Sequence, residues 1–142
     1  MGTIQEVTLI AGSQDQVWKA VVDYPARTRW WPRVKEARLL DEGPLQVGSR
    51  IRLKVDKDQF TSTVVEVHPP ERLVLLVKGP GFRVTHSYRL QPTGVKTEVT
   101  MSGEYGGLIG SLVVRFMQRS VRRDLTDELA ALKGAAEASS AE

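Results

Sequence analysis

Residues 82–90 read Phe82-Arg83-Val84-Thr85-His86-Ser87-Tyr88-Arg89-Leu90, with the apolar, aromatic and imidazole side chains at even positions and the charged or hydroxyl ones at odd positions. A period of two marks a β-strand with one face toward a core and the other toward solvent. Ile51, Leu53 and Val55 alternate in the same way with Arg50, Arg52 and Lys54. The pattern runs for about seventy residues from Val34 onward. Turn signals at Glu42-Gly43-Pro44, Asp56-Lys57-Asp58, His68-Pro69-Pro70, Gly79-Pro80-Gly81 and Pro92-Thr93-Gly94 cut it into short segments. The reading is an antiparallel meander of six strands with one apolar face.

Working outward, Thr3 to Ala11 carries Val7, Thr8, Leu9 and Ile10 and reads as a further strand. Ser13-Gln14-Asp15-Gln16 then has the form of a capping box, and Val17, Ala20, Val21 and Tyr24 follow at helical spacing. Pro25 ends this helix near Asp23, and residues 26 to 31 form a second short helical turn closed by Pro32. On the other side of the meander, Gly106-Gly107 precedes a long helix over residues 108–133, stopped by Gly134. The expectation is an α+β fold. A seven-stranded curved antiparallel sheet wraps around a long C-terminal helix, with two short helices after strand 1. Residues 1–134 form a single domain and residues 135–142 a frayed tail.

The bulk properties agree with one compact domain: 142 residues, 41% hydrophobic, 12 Gly and 7 Pro. The absence of cysteine removes disulfides, thiol nucleophiles and Cys-based metal centres. The longest apolar run, Leu73 to Val77, is far short of the roughly 18–20 residues of a membrane span. Residues 1–6 have neither a secretory pattern nor a myristoylation signal, so the cytoplasm is the expected location. A net charge of +3 bears on partners only where the basic residues cluster.

In order and spacing, several short motifs resemble one family. They are Ala11 followed by Val17-Trp18, then Trp30-Trp31-Pro32-Arg33-Val34, Val47-Gly48, and the run from Val65 to Leu73. Tyr88-Arg89-Leu90-Gln91-Pro92 with Thr97-Glu98-Val99, and the helix after paired glycines, complete the set. The chain resembles the START and birch-pollen-allergen-like helix-grip superfamily (SRPBCC), in particular its polyketide cyclase/dehydrase and lipid-transport branch. The resemblance implies a helix-grip fold with a cavity between sheet and helix. It also implies a function within a range that spans carriers, cyclases, receptors and chaperone activators.

On that fold the ligand is a mostly apolar small molecule such as a lipid, polyketide, isoprenoid or aromatic metabolite. The expected lining is Trp31 and, from the strands, Leu53, Val55, Thr63 and Val65. Phe82, Val84, His86 and Tyr88 continue it, with Val99 and Met101 from the last strand and Met117, Val121 and Leu125 from the helix. An inward His86 can act as general base or hydrogen-bond a carbonyl, and with Tyr88 it is the candidate pair for proton transfer in a cyclase or dehydratase. The competing reading is a core histidine satisfied by Tyr88 or a backbone carbonyl. The cavity face offers no evident carboxylate. Thr61 and Thr63 share a face with Val65 and Val67 and can add hydroxyls to it.

Other chemistries find no support. His68 and His86 lack the spacing of a metal site, so no metal is expected, and the chain has no Gly-x-Ser-x-Gly elbow, phosphate loop or dinucleotide fingerprint that would call for a cofactor. In the long helix, Val114, Met117, Val121, Leu125, Leu129 and Leu132 form a stripe toward the sheet. Ile109, Leu112, Val113 and Phe116 add apolar surface on another side of its first half, and Arg115, Arg119, Arg122 and Arg123 cluster on a third. That half is the candidate for contact with an anionic membrane or for a homodimer. Asp124, Asp127 and Glu128 follow closely, as in a solvated face with internal ion pairs. No aromatic or turn-helix element accompanies the arginines, which argues against nucleic acid.

Overall fold

The computed structural model describes residues 2–140, with side chains up to residue 138. The chain starts with β1 (Gly2–Ala11), α1 (Gln14–Val22), one 3-10 turn (Tyr24–Ala26) and α2 (Arg27–Trp30). Six strands follow: β2 (Val34–Leu39), β3 (Arg50–Val55), β4 (Asp58–His68), β5 (Arg72–Gly79), β6 (Phe82–Thr93) and β7 (Lys96–Gly106). Two helices, α3 (Gly107–Phe116) and α4 (Gln118–Ser140), end it. The strands form one curved, fully antiparallel sheet in the order β1-β7-β6-β5-β4-β3-β2, the helix-grip arrangement.

The short-range signals act where the sequence places them. Ser13 accepts from the Gln16 amide while the Gln16 side chain accepts from the Ser13 amide, a complete capping box for α1. α4 lays Leu125, Leu129, Leu132 and Ala136 into the inner face of the sheet, where Ile4, Ile10, Leu73, Leu90, Val99 and Met101 are buried. Glu6, also on that face of β1, is carried toward the helix and meets Arg122 at 3.1 Å.

Three expectations are corrected. The C-terminal helix is not continuous: Met117 leaves helical geometry at ψ 20° and separates α3 from α4. It does not stop at Gly134, and residues 135–140 are helix rather than a frayed tail. Nothing lies near Gly134 to disfavour helix there, Ala136 is fully buried, and the Glu137 carboxylate accepts from the Ala11 amide at 2.8 Å. Residues 141 and 142 lie outside the described residues.

The third concerns β4. The register slips between Val64 and Glu66, a β-bulge that reverses the parity of every residue before it relative to Val67. Phe60, Ser62 and Val64 therefore face inward with Val67, while Thr61, Thr63 and Val65 face out. At the start of α3, Gly107 has φ +81° and a Cβ there would sit 2.6 Å from the Gly81 carbonyl oxygen. Glycine thus lets the helix start against the β5–β6 turn, where the Ile109 amide donates to that same oxygen at 2.8 Å.

Candidate functional site

The sheet and α4 enclose a cavity of about 320 Å³, within the size range of small-molecule sites. Leu53, Val55, Phe60 and Leu75 supply apolar wall from the sheet, and Val121 and Leu125 supply it from α4. Trp31 closes one side at the end of α2. Gly103, paired with His86 across the sheet, leaves the space that the Tyr105 ring takes up, since a Cβ there would lie 2.8 Å from that ring.

The deep end is polar. α2 carries Arg27, 2% exposed, whose Nη1 donates to Glu128 Oε2 at 2.8 Å and whose Nη2 donates to the Val21 carbonyl at 2.9 Å. Its guanidinium carbon lies 4.2 Å from the centre of the Tyr24 ring and within 5.5 Å of those of Trp30 and Tyr88. Burial opposes the charge of Arg27, but Tyr88, Tyr24 and Glu128 around it hold its pKa above the ordinary value. The Tyr88 hydroxyl donates to the same Glu128 oxygen, and burial pushes its pKa well up, so it stays a phenol.

Two buried polar atoms at this end have no hydrogen-bond partner among the described residues: Arg27 Nε and Tyr24 Oη, the latter close to the Tyr88 hydroxyl without bonding geometry. Buried groups of this kind are rare enough in folded proteins to need an occupant or an explanation. His86 lines the same region with part of its surface accessible. Burial, assisted by the charge of Arg27 and opposed by Glu128, pulls its pKa below the ordinary value, so the ring is neutral at pH 7. Among the described residues nothing hydrogen-bonds to that ring, contrary to the reading of a satisfied core histidine. At this end the arrangement offers a ligand one neutral, partly accessible imidazole, whereas Tyr24 Oη and Arg27 Nε are closed off from the cavity.

At the mouth, Arg33 donates to Asp56 at 2.8 Å and to Asp124 at 2.7 Å, tying the β3–β4 turn to α4. These bonds raise the pKa of Arg33 and lower that of Asp56. Asp58 completes the rim.

Of the expected lining, Trp31, Leu53, Val55, His86, Tyr88, Val121 and Leu125 come together at the cavity. The rest do not. Thr63 and Val65 face out because of the bulge in β4. Phe82 folds its ring over Gly79, Val99 and Met101 lie in closed core, and Val84 only packs against it. Met117 is 52% exposed at the break between α3 and α4. The break also turns Ile109, Leu112 and Phe116 to solvent, while Val113 and Val114 pack on the core. Sequence reasoning missed Arg27, Tyr24 and above all Glu128, which is a buried ion-pair partner rather than part of a solvated face. The signal was its position, since 121, 125, 128 and 132 share one helical stripe.

The sequence as a whole, residues 1–137, matches the family model described as polyketide cyclase / dehydrase and lipid transport. The chain belongs to that family. Comparison with curated proteins gave no match. Solved structures with the polyketide cyclase/dehydrase fold align over almost all of it. The Zhui aromatase/cyclase from Streptomyces sp. R1128 is 18% identical at TM-score 0.78, covering 96% of this chain and 93% of its own. A START superfamily protein from Mycobacterium smegmatis is 18% identical at TM-score 0.77, with 95% and 97% covered. The di-domain ARO/CYC BexL is 19% identical at TM-score 0.77, and the match covers 94% of this chain but 46% of BexL. At these identities the likeness is one of fold. Among the described residues, no helix is long and apolar enough to cross a membrane, and no three His, Cys, Asp or Glu side chains are grouped to hold a metal.

Proposed function

We propose that this protein binds a mostly apolar small molecule, of the lipid, polyketide, isoprenoid or aromatic metabolite kind, in the cavity between the sheet and α4. One observation carries the reading: the cavity, walled by Leu53, Val55, Phe60, Leu75, Val121 and Leu125, presents at its deep end the partly accessible imidazole of His86, which has no hydrogen-bond partner among the described residues. A ligand whose carbonyl or hydroxyl group reaches that end gains a hydrogen bond to His86, while its apolar body is buried at about 25 cal/mol per Å². Displacement of a bound neutral dye such as Nile red by a panel of lipids and aromatic ketones tests this. Displacement by at least one class is expected, and none by any class contradicts it.

A second reading, a cyclase or dehydratase acting on a polyketide-like chain, is favoured by the neutral, unengaged ring of His86 in the same cavity as a carboxylate. Here His86 takes a proton from the substrate carbon that attacks a carbonyl of the same chain and returns it to the alkoxide formed there, while Tyr88 donates to Glu128 and holds that carboxylate in place. Loss of turnover of a poly-β-ketone in His86→Ala supports it, and turnover at the parental rate removes it. A chaperone-activator role, suggested by the likeness to the Aha1 dimer from Colwellia psychrerythraea at TM-score 0.75, 17% identity and 96% and 97% coverage, fits an open cavity less well.

α3 is read as the part that meets an anionic membrane surface. Leu108, Ile109, Leu112, Phe116 and Met117 are 47–76% exposed, and Arg115, Arg119 and Arg123 beside them have no carboxylate partner among the described residues. In a two-fold dimer through this patch the arginines meet each other, whereas anionic head groups complement them at about 1 kcal/mol each. Salt-sensitive co-sedimentation with phosphatidylserine vesicles, lost in Phe116→Ser, is the expected result. A concentration-dependent mass in light scattering without vesicle binding assigns the patch to a dimer instead.

A further inference from the structure

The chain carries a net charge of +3, yet the cavity inverts that sign. Four carboxylates line it (Asp56, Asp58, Asp124 and Glu128) against two guanidiniums, Arg27 and Arg33. Neither guanidinium is free to receive an anion. Arg27 is held by Glu128 and the Val21 carbonyl, and Arg33 is held by Asp56 and Asp124. Arg27 Nε, unpaired but closed off from the cavity, belongs to a charge already balanced by Glu128. The imidazole of His86 adds no positive charge at pH 7. The Asp58 side chain has neither ion pair nor hydrogen bond among the described residues, so the rim carries one unpaired carboxylate.

We infer that the cavity discriminates against anions, and that its ligand is an apolar molecule that is uncharged or bears a basic nitrogen, not a carboxylate or phosphate. The inference rests on the proposed ligand-binding function and narrows its substrate class. A carboxylate entering the cavity leaves its own hydration behind, finds no unengaged cation, and passes two carboxylates in excess at the mouth. An alcohol or ketone gives up little and gains a hydrogen bond to the His86 imidazole. An ammonium group left at the mouth gains Asp58.

Three probes that differ only in the head group measure this: 2-naphthalenemethanol, 2-naphthalenemethylamine and 2-naphthoate, titrated calorimetrically into the full chain at pH 7.5 and low salt. The alcohol and the amine are expected to bind, with the amine at least as tight as the alcohol and the naphthoate about tenfold weaker or more. Raising the salt to about 0.5 M narrows the ratio between amine and naphthoate, because the rim is open to screening. Asp58→Asn, at an exposed and unbonded side chain, narrows that ratio by about threefold, and Asp58→Asn with Asp124→Asn narrows it further while freeing Arg33. Naphthoate that binds as tightly as the alcohol overturns the inference and leaves the cavity reading standing. If none of the three binds, the cavity reading falls and the inference falls with it.

Discussion

Arg27 on α2 and Glu128 on α4, 101 positions apart in the chain, form a 2.8 Å ion pair at the closed end of the cavity with side chains 2% and 11% exposed. The pair joins the short helix after β1 to the long C-terminal helix and orients Tyr88, which donates to the same carboxylate. Burying two charges is expensive, and such pairs are retained more readily for placing groups than for raising stability.

Removing one member of that pair is therefore worse than removing both. Glu128→Ala leaves the Arg27 charge uncompensated and is expected to lose about 3–5 kcal/mol in urea denaturation, with Arg27→Met comparable. Arg27→Met combined with Glu128→Leu is expected to recover most of that loss. A double variant as unstable as the sum of the singles contradicts this account of the pair.

Acid sensitivity follows from His86. Its pKa in the fold is held below the ordinary value, chiefly by burial, so between that pKa and about 6.5 the unfolded chain binds more protons than the folded one. Stability from this group is fully present above about pH 6.5 and falls as the pH drops toward the folded pKa, with a slope approaching about 1.4 kcal/mol per pH unit. His86→Gln should lose that component. Denaturation at pH 7.5, 6 and 5 checks it, and identical slopes in parent and variant contradict it.

Neighbouring residues of β4 separate the inward from the outward face. Ser62 is 2% exposed and lines the cavity, and Ser62→Leu is expected to weaken Nile red binding by about tenfold through occupied volume. Thr63→Leu, on the outer face, is expected to leave the dye affinity unchanged. The opposite ranking in a fluorescence titration would restore the face that strand periodicity suggests.

The C-terminal residues are structural. Ending the chain after residue 134 removes the buried Ala136 and the hydrogen bond that the Ala11 amide donates to Glu137. A loss of about 1–3 kcal/mol is expected. Unfolding curves that superimpose would show that the last turns of α4 are idle.

What the sequence made legible depended on how local its cause is. β6 alternates without interruption, so its inward face could be read off residue by residue. β4 contains a bulge that hydrophobic alternation does not announce, because Val64, Val65 and Val67 are all valine, and parity carried back from Val67 put Thr63 and Val65 on the wrong side. The burial of Arg27 is made by Tyr24, Tyr88 and Glu128 together, two of them more than fifty positions away, so no local pattern encodes it. Glu128 was legible by position on the Val121, Leu125, Leu132 stripe, but Asp124 and Asp127 beside it gave the appearance of a solvated face. Gly134 reads as a stop because of its propensity penalty of about 1 kcal/mol, which the packing of Ala136 outweighs.

The central claim, that the cavity holds a small molecule, is tested most directly by native mass spectrometry of the full chain purified from its own host. The account predicts a mass above that of the bare polypeptide, lost on denaturation and absent from Ser62→Leu, with the released compound apolar and not anionic. A native spectrum of the bare polypeptide alone, unchanged after incubation with neutral lipids and aromatic ketones, would contradict it.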